Sequence, residues 1–157
     1  MENILTFLGS DIDGDSWENL CNECYRIHYA KEHYTEIPAT SQGDAGIEGF
    51  TTTGIVTQCY CPEGAYSDDD LYAHQRDKMT KDITKLLDNR ERLIKLGVPT
   101  IHEWHFLIPE YLDKRIIEHA ETKRKEVLKK KASNPKAYEY IADDFVILIK
   151  TAANYRV

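Results

Sequence analysis

The stretch GDAGIEGFTTTGIVTQCYC (residues 43–61) sets Asp44 and Glu48 ahead of a tight reversal and Gln58 behind it. Hard divalent cations such as Mg²⁺ take carboxylate, amide and carbonyl oxygens held rigidly, with water completing the shell. Paired strands lie about 4.8 Å apart, so the two arms of a hairpin can offer such oxygens to one ion. Glu48 on the first arm and Gln58 on the second fit that role, and the carbonyl of Cys59 adds a third oxygen. Gly46 and Gly49 beside Glu48 allow a tight backbone path or the approach of a phosphate. A cation so held activates water and neutralises charge building on a phosphodiester. Asp44, in SQGDAG, either supports that ion or shapes the turn.

GDAGIEGF followed by VTQCY, with SWENLCNECY upstream, resembles the restriction-endonuclease-like PD-(D/E)XK superfamily. Its Mrr-like branch and the nuclease domains of bacterial anti-phage effectors are the most similar. Their pattern is a helix bearing Glu, then G-D-x-G-[I/V]-[D/E]-G, then a strand with Q-x-K. The likeness covers roughly residues 15–61 by motif and the rest by element order. It implies cleavage of double-stranded DNA with Mg²⁺ or Mn²⁺, commonly in antiviral defence. It implies Glu18 as a helix-borne metal ligand, Glu48 as the principal acid and Gln58 in place of the usual second acid. Many such nucleases work as homodimers that cut both strands; the sequence shows no evident sensor domain, so activation is expected from a regulatory or sensor subunit or from a C-terminal region beyond this chain.

The departure is Tyr60, which stands where the pattern has lysine. A phenol stabilises charge on a reacting phosphate poorly near neutral pH. Some members of the superfamily move the basic group to the following helix, and here that helix carries Arg76, Lys78, Lys81 and Lys85. Counting about 100° per residue from Met79, Lys78 falls at the edge of the apolar stripe, with Lys81, Lys85 and His74 further round. Lys78 is therefore the expected catalytic lysine, and Arg76, Lys81 and Lys85 are expected to contact DNA. Gln75 and Asp82 fall close to the buried side, where polar groups need partners, so they are expected to brace the site. The competing reading is a nuclease fold that has lost its chemistry and binds DNA or a partner protein.

Each residue also has a plain structural role to set against this. Asp15-x-x-Glu18 has the spacing of a capping box, Gln58 alone suits a strand with a satisfied amide, and Lys78 alone suits a solvated helix face. Asp11, Asp13 and Asp15 open like an EF-hand loop, but Ser16 and Asn22 stand where that loop needs glycine and glutamate. Cys21-x-x-Cys24 and Cys59-x-Cys61 could give zinc four thiolates; the first pair also reads as small apolar filler on a buried helix face.

The elements that must position these groups follow from periodicity. Trp17, Leu20, Cys21, Cys24, Ile27 and His28 recur at helical spacing from about Ser16 to Tyr29. YTEIP (34–38) reads as a short strand, and IEGF and IVTQCYC flank TTTG as a hairpin. Ser67 caps a long helix whose stripe is Leu71, Met79, Ile83, Leu86, Leu87 and Ile94, ended by Gly97 and Pro99. Residues 100–109 read as a strand, 110–131 as a helix stopped by Asn134-Pro135, and FVILIK (145–150) as a buried strand. That order predicts one α/β domain over residues 1–157, of the restriction-endonuclease-like three-layer kind. A mixed central sheet with a front β-hairpin lies between helices.

The length and the 41% hydrophobic content suit one core. No apolar run approaches membrane-spanning length, and the acidic start MENILTFLGSDIDGD lacks the basic head of a signal peptide. Four irregularly spaced cysteines point to reduced thiols and the cytosol. The net charge of -7 speaks against nucleic acid, but residues 1–75 hold 2 Lys/Arg against 14 Asp/Glu and residues 76–157 hold 18 against 13. An acidic half joined to a basic half, including KRKEVLKKK (123–131), is compatible with an acidic metal site beside a phosphate-binding surface; solvated helix faces give the same split.

Overall fold

A computed structural model describes residues 13–38, 45–62, 66–111, 113–151 and 154. Helix α1 (Gly14–His28) leads to strands β1 (Thr35–Glu36), β2 (Gly49–Phe50) and β3 (Ile55–Cys59). Helices α2 (Asp68–Asp88) and α3 (Arg90–Lys95) lead to β4 (Ile101–Leu107), and α4 (Arg115–Ser133) to β5 (Ile141–Lys150). The five strands form one open mixed sheet in the order β1-β2-β3-β4-β5. β1, β2 and β3 pair antiparallel, then β3–β4 and β4–β5 pair parallel, so helical crossovers are required for the last two.

Alternation along β3 fixes what each face meets. Val56 joins Phe50, Trp104, Phe106 and Ile147 in a core closed by Met79, Ile83 and Leu86 of α2 and Ile116, Ala120 and Val127 of α4. Ile55 and Cys59, with Leu107, meet Trp17, Cys21 and Tyr25 of α1 on the other face. Gln58, one residue beyond Thr57 and two beyond Val56, belongs to the α2 side of the strand. The fully buried large side chains, Trp17, Trp104, Tyr25 and Phe106 among them, each contribute about 1.5–3 kcal/mol by leaving water.

Several expectations are corrected. The α1 stripe steps by four, through Trp17, Cys21 and Tyr25, which leaves Ile27 71% exposed and His28 at the surface. The α1 cap is Asp13, whose carboxylate accepts from the Ser16 amide at 2.7 Å, and not an Asp15–Glu18 box. The helix begun at Ser67, whose Oγ accepts from the Asp70 amide, ends at Asp88. Asn89 breaks the helical phase, so Leu93 turns inward at 1% exposure while Ile94 points out at 55%. β5 is an edge strand that begins at Ile141, ahead of FVILIK, and is not buried throughout: Phe145 and Ile147 are buried, whereas Asp143 and Asp144 are exposed.

Candidate functional site

The β2–β3 hairpin forms from the residues that predict it. Thr51 accepts Gly54 in a turn where Gly54 takes φ +89°, a conformation open to glycine. Below the turn, Gly49 pairs with Thr57, and the Glu48 amide donates to the Thr57 carbonyl at 2.6 Å. The ladder then changes character. The Cys59 amide donates to the Glu48 carboxylate (Oε2, 3.0 Å), so the acid is anchored across the hairpin by its side chain. Such a charge-assisted bond holds one carboxylate oxygen in place. Gly49 is needed for close approach: a Cβ there would lie 2.1 Å from the Tyr34 hydroxyl.

Gln58 is 1% exposed, and its amide oxygen has no hydrogen-bond partner among the described residues. An orphaned buried acceptor of this kind is rare and costs about 1–3 kcal/mol. Cys59, the next residue, turns its thiol to the other face. A hydrogen bond with the Cys21 thiol, then burial, then the nearby Glu48 carboxylate push the Cys59 thiol well above its ordinary range. That environment favours a neutral thiol, the opposite of a zinc ligand. Burial likewise raises the Cys24 thiol.

Glu18 sits half-buried on α1 beside Trp17, whose indole Nε1–H donates to the Leu107 carbonyl at 2.9 Å. Asp44 lies outside the described residues. Tyr60 is half-buried and stacks on Phe106, centroids 6.4 Å apart, so its ring serves the core. Among the described residues no three His, Cys, Asp or Glu side chains converge on one point. Glu48 borders β2 and Gln58 lies on β3, the paired arm, and carboxylate and amide oxygens are donors that hard cations accept with water in the remaining positions.

The basic groups lie on α2. Lys78 Nζ donates to Asp82 Oδ1 at 3.2 Å and sits 3.1 Å from Oδ2, while Lys85 Nζ is 3.9 Å from Oδ1. Asp82 is fully buried and Gln75 nearly so, as their helical phase predicts; Gln75 Nε2 donates to the Glu110 carbonyl at 2.8 Å. The loop carrying Glu48 touches this helix directly. At Gly46, φ is +80° and a Cβ would lie 2.2 Å from the Asp82 carbonyl oxygen; Trp104 Nε1–H donates to the Gly46 carbonyl at 3.0 Å. Lys81 is exposed. Arg76 pairs with Asp77 and lies 5.5 Å from the Tyr72 ring, and His74 packs on Tyr66 at 4.4 Å.

One arrangement escaped the sequence. His105, 1% exposed, lies between the Tyr25 hydroxyl (Nδ1, 2.7 Å) and Glu103 (Nε2, 3.0 Å) on the α1 face. The carboxylate can only accept, which puts the ring proton on Nε2 and makes Tyr25 the donor to Nδ1. Burial pulls the imidazole below its usual value of 6.5, partly countered by Glu103. Beside it the Tyr34 hydroxyl donates to Asn22 Oδ1 at 2.7 Å and lies 3.0 Å from the Thr57 hydroxyl. The Trp17–Cys21–Tyr25 spacing could have placed Tyr25 against the sheet, but not its partner eighty residues on.

No family model, curated protein or solved structure matches the chain. Among the described residues no helix is long and apolar enough to cross a membrane.

Proposed function

We propose that this chain is a Mg²⁺-dependent endodeoxyribonuclease of restriction-endonuclease-like fold that hydrolyses double-stranded DNA in bacterial anti-phage defence. The observation that carries the reading is the orphaned Gln58 amide oxygen, next in sequence to the amide that anchors the Glu48 carboxylate. A buried acceptor without a donor suits a site that takes a cation. The order of antiparallel hairpin, helical crossover and parallel strand supports the same reading. Glu48, Gln58 and the Cys59 carbonyl, with Glu18 from α1, would hold the ion. When bound, it supplies water activation and charge neutralisation at the phosphate. Lys78 supplies a fixed positive charge to the developing phosphorane, work that Tyr60 cannot do. Lys81, Lys85 and Arg76 hold the DNA backbone in register. The partners that fit are duplex DNA, a second copy for the opposite strand, and a subunit or further region that triggers cutting.

A second reading has its own observation. Tyr60 is committed to Phe106, and Lys78 is closed onto Asp82, an arrangement compatible with a fold that binds DNA or a partner without cutting. Supercoiled plasmid incubated with Mg²⁺, Mn²⁺ or EDTA separates the two. The nuclease nicks or linearises it with either metal and not with EDTA. Glu48→Ala abolishes that activity and keeps a cooperative thermal transition. Equal cutting by Glu48→Ala would remove the site assignment. Plasmid retardation without cleavage under every metal condition would establish the binding module.

A further inference from the structure

Asp82 is the only described carboxylate that is fully buried, in a stripe otherwise made of Leu71, Gln75, Met79, Ile83 and Leu86. An unpaired charge there is strongly unfavourable. The helix meets this demand with lysines one turn either way, Lys78 in contact with both carboxylate oxygens and Lys85 further off at 3.9 Å. The exposure is lopsided: the acid side chain has none, whereas Lys78 keeps 26% and Lys85 35%. Stability alone does not call for this pair, because well-packed apolar residues in place of a buried ion pair are often as stable or more so. Position offers the reason. The Asp82 turn of α2 is where the Glu48 loop crosses, with Gly46 pressed on the Asp82 carbonyl so closely that no side chain fits.

Resting on the nuclease reading, we infer that Asp82 is a positioning residue: it fixes the Lys78 ammonium at the seam between α2 and the Glu48 loop. The lysine missing from β3 then acts from the helix, aimed by a carboxylate that itself touches no substrate. Lys81, exposed and one turn from neither oxygen, is not aimed in this way.

Asp82→Leu, Lys78→Ala and the double variant test this. Asp82→Leu keeps or raises the melting temperature, since leucine matches its apolar neighbours. Its plasmid cleavage falls about 10²-fold, the scale of a misaimed group, in kcat with little change in KM. In the Lys78→Ala background the same change costs nothing further. A second readout needs no cleavage: limiting acetylation of the protein alone, read by peptide mass, modifies Lys78 more slowly than Lys81 in the wild type and equally in Asp82→Leu. If Asp82→Leu does not fold, Asp82→Asn keeps the shape and removes the charge. Wild-type cutting by the folded variant, additive losses in the double variant, or an unchanged Lys78:Lys81 labelling ratio would each overturn the inference. A wild type that never cuts defeats the nuclease reading alone, and the labelling ratio still decides whether Asp82 holds Lys78.

Discussion

Replacing Gly46 with alanine drives a methyl group into the backbone of α2. The new Cβ would lie 2.2 Å from the Asp82 carbonyl oxygen, 2.9 Å from the Leu86 amide nitrogen and 3.2 Å from the Asp82 carbonyl carbon. All three are main-chain atoms, so no side chain can rotate aside, and the loop or helix must shift by about 1 Å to reach ordinary contact. Gly97→Ala is the control. Its φ of +81° matches the +80° of Gly46, yet nothing lies within 4 Å of its Cβ position. Both variants incur the left-handed penalty of about 1–2 kcal/mol and both regain about 0.4–1 kcal/mol from a stiffer unfolded chain. Only Gly46→Ala adds overpacking, about 3 kcal/mol at the upper end of the usual range. At about 2–4 °C per kcal/mol for a chain of this size, Gly46→Ala melts about 6–12 °C below Gly97→Ala in scanning calorimetry. Equal melting temperatures would show that the loop and α2 are not in backbone contact, and the shared seam of Glu48 and Lys78 would fall with it.

Two further outcomes are expected. His105 is held neutral by burial, so between its depressed folded value and the ordinary 6.5 the unfolded chain binds the extra proton, and stability falls as pH drops below 6.5. The groups facing the ring are Tyr25, Glu103 and Lys150. His105→Gln, which can keep both hydrogen bonds, should shrink the drop in urea midpoint between about pH 7.5 and pH 5.5; an undiminished drop would assign it elsewhere. Tyr60→Lys in the Lys78→Ala background should restore part of the lost plasmid cleavage, because the ammonium returns to the strand; restoration in neither metal would count against migration of that group.

Local chemistry was the legible part of this chain. Ser67 with Asp68–Asp70 announces the start of α2, and TTTG announces the hairpin, because caps and turns are decided by neighbours in sequence. Asp82 was legible by phase, since about 100° per residue carries it inward whatever its charge. What failed depended on distant partners. Ile27 reads as buried until the inward stripe is found to run through Trp17, Cys21 and Tyr25, with Tyr25 bonded to His105. Ile94 reads as core until Asn89 resets the helix. The full length of β5 is hidden by Asp143 and Asp144, two charges that a central strand would exclude and an edge strand tolerates. For the site, Glu48 and Gln58 were visible as residue types, but the Cys59 amide that anchors one and the missing donor of the other exist only in three dimensions.

The parallel pairing of β3 with β4 also sets the order in which the molecule acquires its parts. The β2–β3 hairpin closes locally, on a timescale of about 1–10 μs. β4 can add to β3 only after all of α2 and α3 has been made and folded back, a long-range closure that is entropically costly and slow. On the ribosome, where residues emerge at about 5–20 per second, the Glu48–Gln58 hairpin is therefore complete seconds before α2 can be sealed beneath β4. At the start of that interval the nascent chain holds its acidic residues without the lysines, and even once α2 has been made the two halves are sealed together only when synthesis has passed Leu107.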